Sequence, residues 1–296
     1  MASAELQMVI DLLKAGPIPR DETWQAQRAS LDSLTELAPL PADASYTATT
    51  VAGRPAAWIL ADGADAERTL LYLHGGGYCV GSLKSHRGLA TDLSRAAGAR
   101  VLLLDYRLGP EHPFPAAVDD AVAAYRFLLE QGIAPQRIAI GGDSAGGGLT
   151  AATLLALRDA GLPRPAAGVL LSPWLDLSLS GASMDGRADL DPMVQRVPLQ
   201  RMADAYLAGA DARAPLASPL FADLHGLPPL LVHVGTAETL LDDSTRFADA
   251  ARAADVPLTL EVWDDMVHVF HAFAFLLPEA RLANEKIGAF LKERFA

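Results

Sequence analysis

The segment Gly142-Asp143-Ser144-Ala145-Gly146 constrains this chain more than any other, because of what flanks it. Before it stands a β-branched apolar run, Arg137-Ile138-Ala139-Ile140-Gly141, and after it a helical stretch, Gly147-Gly148-Leu149-Thr150-Ala151-Ala152-Thr153-Leu154. A serine at an abrupt strand-to-helix turn sits on strained backbone with its hydroxyl exposed, and the flanking glycines relieve the crowding. The helix that begins there points unpaired N–H groups and its positive dipole end at whatever the serine attacks. Alone, such a run marks a loop. Between a buried strand and a helix, it predicts a nucleophile at position 144.

The segments 46–51, 57–61, 69–73, 100–105, 137–141, 167–171, 229–234 and 258–263 read as strands. The middle ones are continuous apolar runs, as expected of strands covered on both faces in a parallel sheet. Helical patterns alternate with them, near 85–97, 116–131, 145–160, 242–254 and 281–294, and Gly132 stands where a helix C-cap is expected. The alternation predicts a doubly wound α/β sheet with right-handed crossovers and an antiparallel edge built from the first two strands. Two segments break it. Residues 1–43 hold one or two helices, interrupted at Gly16-Pro17-Ile18-Pro19 and closed by Pro39-Leu40-Pro41. Residues 178–215 start polar and contain a helical piece at 198–208; leaving the sheet after strand 167–171, they are placed to fold over the carboxyl ends of the strands. The expected organisation is therefore a catalytic core of 44–177 and 216–296, with 1–43 and 178–215 as a helical cap.

Composition narrows the partners. The formal charge of −12, from 24 basic and 36 acidic residues, opposes a broad nucleic-acid surface or docking on an anionic membrane. No apolar run is long enough to span a bilayer, and the first residues lack the basic start and apolar core of a secretory signal, so the expected location is the cytoplasm. Cys79 is the one cysteine, which excludes an intramolecular disulfide and a cysteine-based metal cluster, and it reads as a small buried side chain.

Serine needs a base, an acid that orients the base, and donors for the developing oxyanion. The predicted strand 69–73 runs into His74-Gly75-Gly76-Gly77-Tyr78, a glycine run whose N–H groups a ligand can approach closely. The base is expected late in the chain, in a loop at a strand's carboxyl end. His268, in Asp264-Asp265-Met266-Val267-His268, fits a short loop off strand 258–263, whereas His271 fits the start of the following helical stretch. The acid is expected after strand 229–234, where Glu238 and Asp242 both stand. Glu238 is nearer the strand end, and Asp242 also suits the first turn of a helix. Residue type does not choose between them, since either carboxylate can orient an imidazole.

The serine–acid–histidine order, with His74-Gly75-Gly76-Gly77, Asp105-Tyr106-Arg107-Leu108-Gly109-Pro110-Glu111-His112-Pro113-Phe114-Pro115, the Gly142–Gly147 turn, Leu171-Ser172-Pro173-Trp174 and Asp265-Met266-Val267-His268, resembles the hormone-sensitive-lipase-like carboxylesterases (bacterial family IV) over nearly the whole chain. The aspartate before the serine is similar to their Gly-Asp-Ser-Ala-Gly subgroup. The resemblance implies an α/β-hydrolase fold with an eight-stranded, mostly parallel sheet, and it implies no cofactor and no metal. It places the nucleophile on Ser144, the general base on His268 and the oxyanion donors on the amides of Gly76, Gly77 and Ala145. The family's acid stands thirty positions before its histidine, which lands on Glu238; many relatives carry aspartate there, and glutamate is a departure. Gly109 departs from the usual alanine of its motif, outside the triad. A cap roofing an acyl pocket follows, with Tyr78, Trp174, Met184 and Tyr206 as candidate lining residues. The expected activity is hydrolysis of short-chain carboxylic esters by a monomer or homodimer. The same triad also serves amidases, lactonases and acyltransferases, and a non-catalytic small-molecule receptor can share the scaffold.

Overall fold

The computed structural model describes residues 3–16, 22–35 and 41–296 of the chain. Eight strands form one sheet: β1 (Ala44–Val51), β2 (Arg54–Ala61), β3 (Asp65–Leu73), β4 (Ala99–Leu104), β5 (Ile138–Asp143), β6 (Ala167–Leu171), β7 (Leu230–Gly235) and β8 (Leu258–Trp263). Their order is β1-β2-β4-β3-β5-β6-β7-β8; β1 and β2 form the antiparallel edge and the other six run parallel. The α-helices are α1 (Ala4–Ala15), α2 (Trp24–Thr35), α3 (Leu83–Ala97), α4 (Ala116–Glu130), α5 (Ala145–Asp159), α6 (Ser183–Gly186), α7 (Arg196–Leu207), α8 (Leu241–Ala253) and α9 (Pro278–Arg294). Among the described residues, no helix is long and apolar enough to cross a membrane.

The continuous apolar strands are explained by what covers them. Successive side chains of a strand point to opposite faces. Leu71, Leu73, Leu102, Leu104, Ile138 and Ile140 therefore enter one core with residues of α4, α5 and α8, whereas Leu70, Tyr72, Val101, Leu103 and Ala139 enter another with residues of α3 and α9. Both faces of the central strands are dry, so neither face is free to carry polar residues. The edge strands differ: β1 and β8 are largely half-exposed or exposed.

Strand starts differ most from the sequence reading. β2 begins at Arg54 because it pairs with β1 across a two-residue turn, Val51 opposite Arg54, and β3 begins at Asp65, ahead of its apolar run. Arg54-Pro55 and Asp65–Arg68 are exposed or half-exposed and carry no run of apolar side chains, so no apolar pattern marks them. Gly132 follows α4 with φ +79°, the left-handed conformation expected past a helix end. The Pro17-Ile18-Pro19 interruption and Pro39-Leu40 lie outside the described residues. Gly16 ends α1, with its N–H bonded to the Leu12 carbonyl.

Candidate active site

The sheet order places β3, β5, β6 and β7 side by side, so the residues leaving their carboxyl ends meet on one edge. Ser144 leaves β5 with φ +53° and ψ −121°, a conformation that costs a non-glycine residue energy and persists only where surroundings enforce it. Here its N–H donates to the Leu171 carbonyl at 2.8 Å, and its carbonyl accepts from the N–H groups of Trp174 and Gly148 at 2.9 and 3.1 Å. The backbone is held on both sides while the hydroxyl lies in a cavity. Gly146 has no room for a side chain, since a Cβ there would press into the Leu73 carbonyl. That contact seats α5 on the end of β3.

The loop leaving β3 forms the facing wall. Gly76 and Gly77 have φ of +116° and +60°, and the Gly76 carbonyl accepts from the N–H groups of Cys79 and Val80 at 3.1 and 2.9 Å. Among the described residues, no protein acceptor takes the amide N–H of Gly76, Gly77 or Ala145. Unpaired amides beside a hydroxyl that lines a cavity suit a group that develops negative charge.

Glu238 and His268 are joined. Glu238 Oε2 lies 2.9 Å from His268 Nδ1, and both side chains are buried. The other carboxylate oxygen accepts from the Gly235 N–H at 2.6 Å and the Ser172 hydroxyl at 2.7 Å. Ser172 Oγ in turn accepts from the Val269 N–H at 3.0 Å, so one hydroxyl fixes both the acid and the backbone beside the histidine. Burial works against a charged His268 imidazole, but the Glu238 carboxylate bonded to it, with Asp191 and Asp143 further off, outweighs this and leaves its pKa above the ordinary histidine value.

The structure separates the rivals. Asp242 turns to the 178–215 segment, where its carboxylate accepts from the Ser183 N–H at 3.0 Å. His271 is buried with Nε2 3.2 Å from His233 Nδ1; burial, with His233 and His268 close by, holds it well below its ordinary pKa. Cys79 is buried and its thiol is pushed up to about 12, which removes it as a nucleophile.

Ser144, His268, Gly76 and Gly77 line a single cavity of about 1210 Å³, whose walls also take residues from α1, α2 and the 192–202 stretch of the insert. The candidate lining residues Tyr78, Trp174, Met184 and Tyr206 do not border it; they are buried in the core. Tyr78 and Tyr206 stack at a ring separation of 3.9 Å, with Trp174 beside them, and aromatic packing rather than substrate contact accounts for them. Residues the sequence did not single out do the lining instead, Met202, Leu199 and Phe273 among them. Asp191 was also missed. Buried, it accepts from the N–H groups of Met193, Val194 and Thr239 at 2.8 to 2.9 Å, which fastens the insert to the residue after Glu238.

These features define a class. A family profile described as the alpha/beta hydrolase fold matches residues 70–272, and the chain belongs to that family. Within it the chain is a member of the hormone-sensitive-lipase-like branch. A solved esterase of the bacterial hormone-sensitive lipase family is 50% identical, with a TM-score of 0.98 and all of both chains covered. EstE5, in a crystal soaked with p-nitrophenyl butyrate, is 47% identical, with a TM-score of 0.95 and 99% of each chain covered. An acetyl-hydrolase from Streptomyces hygroscopicus is 49% identical over 99% of this chain and 97% of its own.

Proposed function

We propose that this chain is a serine carboxylesterase that hydrolyses short-chain esters through an acyl-enzyme on Ser144. The observation that carries the reading is that His268, held from behind by the buried Glu238, borders the same cavity as the half-buried Ser144. Ser144 Oγ attacks the ester carbonyl as His268 takes its proton at Nε2, the nitrogen left over once Nδ1 is bonded to Glu238. Among the described residues the Ser144 hydroxyl makes no hydrogen bond, and Ser144 and His268 line the same cavity. The tetrahedral oxyanion is held by the amides of Gly76, Gly77 and Ala145. His268 then protonates the leaving alcohol, and water repeats the sequence on the acyl-enzyme. Glu238 keeps the imidazole in the required tautomer and stabilises its charged form.

The segments 1–43 and 178–215 act as the cap of this site, a role supported by their share of the cavity wall. A roofed cavity suits a small dissolved ester better than a lipid surface. The relatives point the same way, one being called an acetyl-hydrolase and another having been soaked with a butyrate ester. A p-nitrophenyl ester series from acetate to palmitate, assayed with wild type and Ser144→Ala, tests the reading. Serine-dependent turnover peaking at the short acyl chains is expected. A maximum at palmitate would contradict the substrate class, and turnover that survives loss of Ser144 would contradict the mechanism.

A further inference from the structure

Asp143 stands next to the proposed nucleophile and has no part in the triad, yet it is one of the most confined carboxylates in the protein, 3% exposed. A buried carboxylate is costly unless donors surround it. Oδ1 accepts from the Tyr72 hydroxyl at 2.8 Å and from the Gly75 N–H at 3.1 Å, and Oδ2 faces His86 Nε2 at 3.4 Å. Burial alone raises its pKa, but His86 and the Tyr72 hydroxyl outweigh this and hold it below the usual carboxylate range. The fit to Gly75 is close, since a Cβ at that residue would strike Asp143 Oδ2.

Gly75 is held at both ends. Its N–H lies between Asp143 Oδ1 and His86 Nε2, the latter at 3.2 Å, and its carbonyl is 2.8 Å from His74 Nδ1. Burial and the nearby His86 lower the His74 pKa to about 3, so the ring is neutral, and the geometry assigns its single proton to Nδ1 as the donor. The Gly75 carbonyl and the Gly76 N–H belong to one planar peptide unit and point in opposite directions. Fixing the carbonyl therefore fixes the aim of the Gly76 N–H. His86 is itself braced, with Nδ1 2.8 Å from Ser85 Oγ in the N-terminal capping box of α3. The Ser82 hydroxyl of that box donates to Asp32 of α2 at 2.5 Å, so the brace reaches the proposed cap.

We propose that Asp143, backed by His86, is a positioning residue: it holds the Gly75 N–H while His74 holds the Gly75 carbonyl, and the two together aim the Gly76 N–H of the oxyanion hole. It ties the nucleophile turn to the facing glycine loop, so that the hydroxyl and the amides keep one spacing as charge develops. The inference rests on the esterase reading above.

The test compares Asp143→Ala and Asp143→Asn with wild type, reading kcat, KM and the affinity for an alkyl trifluoromethyl ketone, whose adduct with Ser144 carries the same oxyanion. Asp143→Ala should lose about 10²-fold in kcat with KM within about threefold, and ketone affinity should fall by the same factor, as expected for a misaimed oxyanion donor. Asp143→Asn still accepts from Gly75 and Tyr72 and can donate to His86, and should recover to within about tenfold of wild type. An alanine variant that keeps kcat and ketone affinity within about threefold overturns the proposal. So does one that loses kcat while ketone affinity stays. Should Asp143→Ala not fold, His86→Ala supplies the second reading, with a parallel loss of about tenfold in both quantities expected and unchanged values overturning the proposal. Failure of the esterase reading looks different, because wild type itself would then show no Ser144-dependent turnover.

Discussion

Ser144→Ala lowers kcat on a p-nitrophenyl ester by roughly 10⁴- to 10⁶-fold, with the protein still folded. The size follows from how completely the site depends on one oxygen. Once the hydroxyl is gone, His268 can at best activate a water that nothing positions, and only the amides of the glycine loop and of Ala145 still favour the transition state. The fold loses little. Ser144 is held through its backbone N–H and carbonyl, both of which alanine retains, and its side chain makes no hydrogen bond among the described residues. The positive φ at this position is equally awkward for serine and alanine, so no new strain enters. Equal melting temperatures with a collapsed kcat are the expected pair of observations, and a loss of less than about tenfold would remove Ser144 from the mechanism.

Glu238→Gln lowers kcat by about 10³- to 10⁴-fold, whereas Asp242→Asn stays within a few-fold of wild type. Glutamine can still accept from Ser172 and Gly235, so the loop keeps its shape; what disappears is the carboxylate charge facing His268 Nδ1. The pH profile reports that charge directly. The bond to Glu238 raises the folded pKa of His268, and catalysis requires the neutral imidazole, so the acid limb of kcat/KM in wild type lies above the ordinary histidine value of about 6.5. In Glu238→Gln, with burial opposed only by the more distant Asp191 and Asp143, the limb moves to lower pH. Stability follows with the opposite sense. A raised folded pKa contributes stability that is fully present below the unfolded value and fades as pH rises through the folded one, so Glu238→Gln should destabilise most on the acid side. Severe loss in Asp242→Asn with a mild effect in Glu238→Gln would transfer the acid role to Asp242.

What could be read from the residues alone is what local pattern encodes. The buried strands announced themselves because a strand covered on both faces has no polar side, and the turn at Ser144 because glycine is needed where α5 meets the end of β3. His268 was separable from His271 because a loop off a strand end and a helix start have different sequence surroundings. Nearness to the strand end and the thirty-position spacing to His268 favoured Glu238 over Asp242, and the structure adds the physical reason: Glu238 stands in the loop after β7 against His268, whereas Asp242 lies in the first turn of α8 and turns to Ser183. Ser172 was visible as part of a motif but its duty was not. That duty arises because β6 lies between β5 and β7, a neighbourhood set by strand order and not by sequence distance. The lining residues failed for a related reason. Tyr78 and Tyr206 are large and apolar, and the sequence cannot tell whether such a pair faces a cavity or, as here, stacks inside the core. Asp143 looked like a subgroup marker until its partners Tyr72, Gly75 and His86 appeared from distant parts of the chain.

Mechanism-based trapping shows whether one serine carries the acyl group. Wild type would be treated with a p-nitrophenyl alkylphosphonate, weighed intact and mapped by peptide mass spectrometry alongside Ser144→Ala. One adduct per chain is expected on the peptide that contains Ser144, with turnover lost in step with labelling and no adduct in the alanine variant. Full ester hydrolysis after stoichiometric labelling, or an adduct mapped to any other residue while activity disappears, would contradict it.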